Sequence, residues 1–177
     1  EGSHINQELI HLKNPKVHFI LLFTFSMFVG YSALYTYVTP YIIELYPSVE
    51  SFMSILLIGV GIAAFTGNCI GGQFSDHFGY KKSIFYGALL QLLFLILILL
   101  TRSFMWLNIL FIVLWVMSAW LTGLQMNLGM MQETSHDANF IVSLTGSSIQ
   151  LSSAIGTSVA AIIITQYGLS QVAFIPL

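Results

Sequence analysis

The sequence predicts an all-α protein, a polytopic bundle of membrane-spanning helices. Three observations carry this: an oily composition, long runs without charge, and short polar breaks between the runs. Of 177 residues, 56% are hydrophobic and 7% charged, where a soluble domain carries about 25% charged residues. The mean hydropathy is +0.86. The five basic and seven acidic residues avoid the intervals 17–43, 51–75, 83–101, 103–132 and 138–177. A helix crosses the hydrocarbon core with roughly 20 apolar residues. Each of the first four intervals holds one span, and the fifth holds a span, a turn at 166–171 and the start of another. A soluble bundle needs polar outer stripes, and runs such as "YGALLQLLFLILILL" have none.

The elements follow in order. Residues 1–16 read as a cytoplasmic linker end, and 17–177 as the membrane bundle. The chain opens on Glu1 without a methionine, as expected of an excerpt or a processed polypeptide. The first run is too long for a secretory signal, no small-residue cleavage site follows it, and further spans come after. Pro40 and Pro47 are expected to bracket the first external turn, and Ser48 is placed to cap the second span. Arg102 and Ser103 leave almost no loop between the third and fourth spans, which makes those two antiparallel neighbours. Lys13 and Lys16 precede the first span, Lys81 and Lys82 lie between the second and third, and Arg102 between the third and fourth. With the N-terminus cytoplasmic, four of these five fall inside, as the positive-inside bias prefers.

In lipid, helices approach closely where small residues line up. Gly59, Ala63, Gly67 and Gly71 recur every four residues in the second span, and Ser148, Ser152, Gly156 and Ala160 in the fifth. Each series forms a smooth ridge. The passage "GGQFSDHFGYKK", 71–82, is then a cytoplasmic turn. Gly72 allows close approach at a helix end, Gly79 a positive φ, Asp76 is placed near a positive helix end, and Lys81 and Lys82 reach toward lipid phosphates.

Gly72, Asp76, Gly79, Lys81 and Lys82 resemble the signature of the major facilitator superfamily, whose motif occupies the cytoplasmic loop between the second and third helices of each six-helix half. "YSALYTYVTPYI", the glycine-rich second span and "SLTGSSIQLSSAIGTSVAAIIITQYGLS" resemble helices seven, eight and eleven of bacterial drug and sugar (arabinose-type) efflux permeases. His77 and Tyr80 stand where the motif usually has basic residues, and Gln150, Leu151 and Ser152 where these exporters often have an Asn, an apolar residue and a Gly.

The resemblance implies half of a twelve-helix fold, the C-terminal one, in a bacterial cytoplasmic membrane. It also implies a secondary active transporter, a proton-coupled efflux protein for a small solute such as a drug or sugar. Its partners would be that solute, the lipid bilayer and an N-terminal six-helix half. The motif aspartate, Asp76, becomes a conformational switch, and the coupling carboxylate is expected in the other half, with Glu44 a weaker candidate.

Tyr31 and Tyr35, one turn apart on one helix face with Met27 below them, and Asn68, Gln125, Asn127 and Gln150 are the substrate-cavity candidates. Gln91 reads as a packing residue. The competing reading is a non-transporting membrane scaffold that binds a partner through the same helices. An enzyme is not expected, since the spans carry no acid, nucleophile pair or metal cluster. No phosphate-binding loop, cofactor motif or basic nucleic-acid surface is present. The histidines lack metal-ligand spacing, and Cys69 is alone.

Overall fold

The structure is a computed structural model and describes residues 15–133 and 138–176. Residues 1–14, the bulk of the expected linker, lie outside the described residues, as do 134–137 of the loop between the fourth and fifth spans. The described chain forms α1 (Pro15–Tyr35), α2 (Val38–Leu45), a 3-10 turn (Pro47–Phe52), α3 (Met53–Phe78), α4 (Tyr80–Leu100), α5 (Met105–Glu133), α6 (Ala138–Tyr167) and a second 3-10 turn (Leu169–Phe174). Five segments are long and apolar enough to cross a membrane: Pro15–Tyr35, Pro47–Phe78, Tyr80–Leu100, Met105–Glu133 and Ser143–Tyr167. The fold is the all-α helix bundle that the charge pattern predicts.

Local chemistry sets the boundaries, in two places against expectation. Pro40 does not close the first span. Its missing N–H leaves the carbonyl of Thr36 without its usual partner four residues on, and the helix breaks at 36–37 before resuming as α2 through Pro40 to Leu45. Ser48 does not cap the next helix. It lies in the 3-10 turn, its hydroxyl donates to Met105 Sδ at 3.6 Å, and α3 starts after Phe52 with no side-chain cap. Pro15 opens α1, a position where a missing N–H costs nothing.

The turn between α3 and α4 is a single residue, Gly79, with φ 77° and ψ 155°. That conformation is essentially reserved for glycine. The Gly79 N–H donates to the Ser75 carbonyl at 2.8 Å, and the Ser83 hydroxyl donates to the Gly79 carbonyl at 2.9 Å.

Packing pairs α1 with α6, α3 with α5, and α4 with α5. Small residues permit the approach. A Cβ on Gly67 would collide with the carbonyl of Met117, one on Gly87 with the Thr122 hydroxyl, and one on Gly156 with the Val29 carbonyl. Asn108 at the start of α5 donates to the Ile98 carbonyl at 2.6 Å and ties the antiparallel pair α4–α5. One core cluster surrounds Tyr31, Tyr41, Ile98, Ile112 and Trp115. A second, of Val17, Ile20, Tyr80, Met126 and Met130, sits toward the end that carries Lys16 and Lys81.

Candidate functional site

Residues of α1, α3, α5 and α6 line an open pocket of about 180 Å3, among them Phe28, Tyr31, Asn68, Trp120, Asn127 and Ile149. Three of the expected cavity residues meet here: Tyr31, Asn68 and Asn127. The Asn68 side chain makes no hydrogen bond among the described residues. Asn127 donates to the Gly123 carbonyl of its own helix at 3.2 Å, which leaves its amide oxygen and a second N–H for another group. Tyr31 is buried, and its hydroxyl faces the Trp120 indole without a bond of ordinary geometry. Its ring is stacked between Tyr35 and Trp115, with centroids at 5.0 and 5.1 Å. The result is an uncharged pocket with aromatic faces and unfilled amide positions, suited to a neutral, hydroxylated or amphipathic solute.

The other candidates fall elsewhere. Gln125 is fully buried and donates through Nε2 to the carbonyl of Gly71, joining α5 to α3. Tyr35 is 40% exposed and touches the pocket only through Tyr31. Gln150 is exposed on α6. Of the ridge in α3, Ala63, Gly67 and Gly71 are buried, the two glycines against α5, whereas Gly59 has nothing within 4 Å of where a Cβ would stand.

The turn residues occupy the end of the bundle that carries Lys16. Asp76 lies in the last turn of α3, four residues before Tyr80 opens α4. It is exposed. Gly72 has open space around it, and Lys81 and Lys82 are exposed.

The residue that organises this end is one the sequence reading passed over, Glu133, the last residue of α5. Its carboxylate accepts from the Tyr80 hydroxyl at 2.5 Å and from Lys16 Nζ at 3.1 Å, with Lys81 Nζ at 4.0 Å. The start of α1, the start of α4 and the end of α5 therefore meet at one carboxylate. Trp120, which the sequence places deep in its span without assigning it a role, also lines the pocket. It stands seven residues before Asn127 on α5, two turns along the same face, which is the signal that finds it.

Membrane-length helices around an uncharged, largely apolar pocket that carries two amides define a multi-pass membrane protein of the helix-bundle class. A family model described as Major Facilitator Superfamily matches residues 4–175, and the chain belongs to that superfamily. It is 27% identical over 170 residues to an uncharacterized MFS-type transporter, YbcL, of Bacillus subtilis (strain 168), a match that covers 96% of this chain and 43% of that protein. The chain spans less than half the length of this curated relative.

Proposed function

We propose that the chain forms the C-terminal half of a secondary active transporter, which exports a small neutral or amphipathic solute in exchange for protons by alternating access. The observation that carries the reading is the cavity of Tyr31, Asn68, Asn127 and Trp120. At about 180 Å3 it falls short of the roughly 300–1,000 Å3 typical of small-molecule sites. It is one wall of a site whose remainder an N-terminal half supplies. The family assignment supports the same division, since major facilitator transporters rock two halves about a site near the midplane.

The groove between α1 and α4, lined by Phe19, Phe23, Ile84, Phe85, Leu89 and Leu92, is apolar and open. In this reading the remaining helix of the half covers it. No Asp, Glu, Lys or Arg lines the cavity, so the coupling carboxylate belongs to the other half. Asp76, exposed at the α3 end, is free of any described ion pair and is available to latch against that half.

The test is solute movement by the whole protein in proteoliposomes under an imposed pH gradient, with sugars and amphipathic drugs as probes. We expect efflux that a protonophore abolishes and that Asn127→Ala and Asp76→Asn each reduce severalfold without loss of inserted protein. If nothing moves under any gradient, the scaffold reading replaces this one. Transport unchanged in Asp76→Asn removes the latch.

A further inference from the structure

The middle of α5 carries two tryptophans in opposite settings. Trp115 is fully buried against the Tyr31 ring, whereas Trp120 is 44% exposed and lines the candidate site. Tryptophan in a membrane protein ordinarily sits at the interface, with its polar edge toward water and its ring in the apolar layer. Trp120 instead stands far from both ends of α5, and its indole faces the Tyr31 hydroxyl. That turns the N–H edge toward α1 and leaves ring surface open to the pocket.

Depth along the pocket follows from the α3–α5 contact. A Cβ on Gly67 would meet the backbone of Met117, and one on Gly71 the backbone of Leu121, so the two helices run parallel and in step. Asn68 therefore lies within a turn of the depth of Trp120. Asn127 lies two turns further along α5, about 10 Å at the rise of a helix. Between Trp120 and Asn127 on the same face is Gly123, where a Cβ would meet only the Phe28 ring, at 3.6 Å. Along its depth the wall offers an indole with an amide beside it, an apolar floor without a side chain, and a second amide.

We propose that Trp120 decides which solutes this wall accepts, and that its ligand is an elongated molecule with a flat ring stacked on the indole and a hydrogen-bonding group about 10 Å away, on the Asn127 amide. The wall carries no Asp, Glu, Lys or Arg, so the molecule is uncharged where it touches it. Offset stacking of two rings contributes beyond the area it buries, and the bare Gly123 leaves room for the part of the molecule that joins its ends. An aryl glycoside or an aryl amide has this shape; a simple sugar lacks the ring. The inference rests on the transporter reading and narrows its solute.

The experiment measures the concentration dependence of transport by the whole protein in proteoliposomes for para-nitrophenyl β-galactoside and methyl β-galactoside, which share a sugar and differ in the ring. The expected KM of the nitrophenyl compound is roughly three- to tenfold the lower, the worth of an aromatic pair. Trp120→Ala should abolish that advantage, Trp120→Phe should keep most of it, and Asn127→Ala should raise KM for both compounds. Equal KM values in the unsubstituted protein overturn the proposal. So does a Trp120→Ala that raises both alike, as a tryptophan that only packs helices would give. An Asn127→Ala without effect on either compound overturns the place of the far group. Movement of other sugars or drugs that Trp120→Ala leaves unchanged overturns the proposal with the transporter reading intact, and no movement of any solute overturns both.

Discussion

At the scale of single residues, Tyr80 and Glu133 explain how this end of the bundle is tied. Tyr80 opens α4, and its ring lies so close to Gly129 that a Cβ there would stand 2.6 Å from Cδ2. One turn further along α5 is Glu133, where the Tyr80 hydroxyl arrives. The Glu133 side chain is 14% exposed, whereas those of Lys16 and Lys81 are 60% and 68% exposed. Solvated ion pairs contribute little, so the hydroxyl–carboxylate bond is the stronger tie. Tyr80→Phe is expected to lower stability by about 1–2 kcal/mol. Lys81→Gln should stay within about 0.5 kcal/mol. Unfolding midpoints in detergent check the ranking, and equal losses in the two variants contradict it.

At the scale of elements, the α3–α5 contact depends on backbone meeting backbone. Gly67 is buried and faces Met117, while Gly59, two turns earlier in the same helix, meets nothing. Gly67→Ala forces the helices apart and is expected to cost about 1–3 kcal/mol, as overpacking does. Gly59→Ala relieves a flexible position with no steric penalty and should be neutral or stabilising by up to about 1 kcal/mol. Thermal stability of the two variants decides. A Gly67→Ala as stable as the parent means that the helices are not in contact there.

The same elements show how far the sequence could be read. The spans were legible because a bilayer excludes charge, and the charges leave five gaps. The turn at Gly79 was legible because only glycine takes that φ easily. The bend at 36–37 was not, since Pro40 acts on a carbonyl four residues upstream while the helix continues past the proline itself. Nor was the meeting of Lys16, Tyr80 and Glu133, whose partners lie 117 and 53 residues apart and are joined only by tertiary packing. In the cavity, Tyr31, Asn68 and Asn127 came from the rule that polar groups in a span are unusual. Gln125 obeys the same rule and serves the α3–α5 contact, because an amide that bridges helices has the same sequence signature as one that waits for a solute.

At the scale of the whole molecule, the two ends differ in charge. Lys16, Lys81 and Lys82 share one end with Glu133. Arg102 stands at the other, its guanidinium over the rings of Tyr41 and Phe174 at 5.8 and 5.1 Å, and its carbonyl accepts from the Tyr46 hydroxyl at 2.7 Å. A basic residue near an anionic leaflet contributes about 1 kcal/mol, so with three against one the expected orientation puts the lysine end in the cytoplasm. In a Cys69→Ser background, Glu50→Cys, near the Arg102 end, is expected to react with a membrane-impermeant maleimide in intact cells, and Lys82→Cys only after permeabilisation. The inverse pattern puts the Gly79 turn outside. Asp76 would then face the wrong compartment to close a cytoplasmic gate, and the latch would have to be sought at the Arg102 end, where the rings of Tyr41 and Phe174 already hold the Arg102 guanidinium.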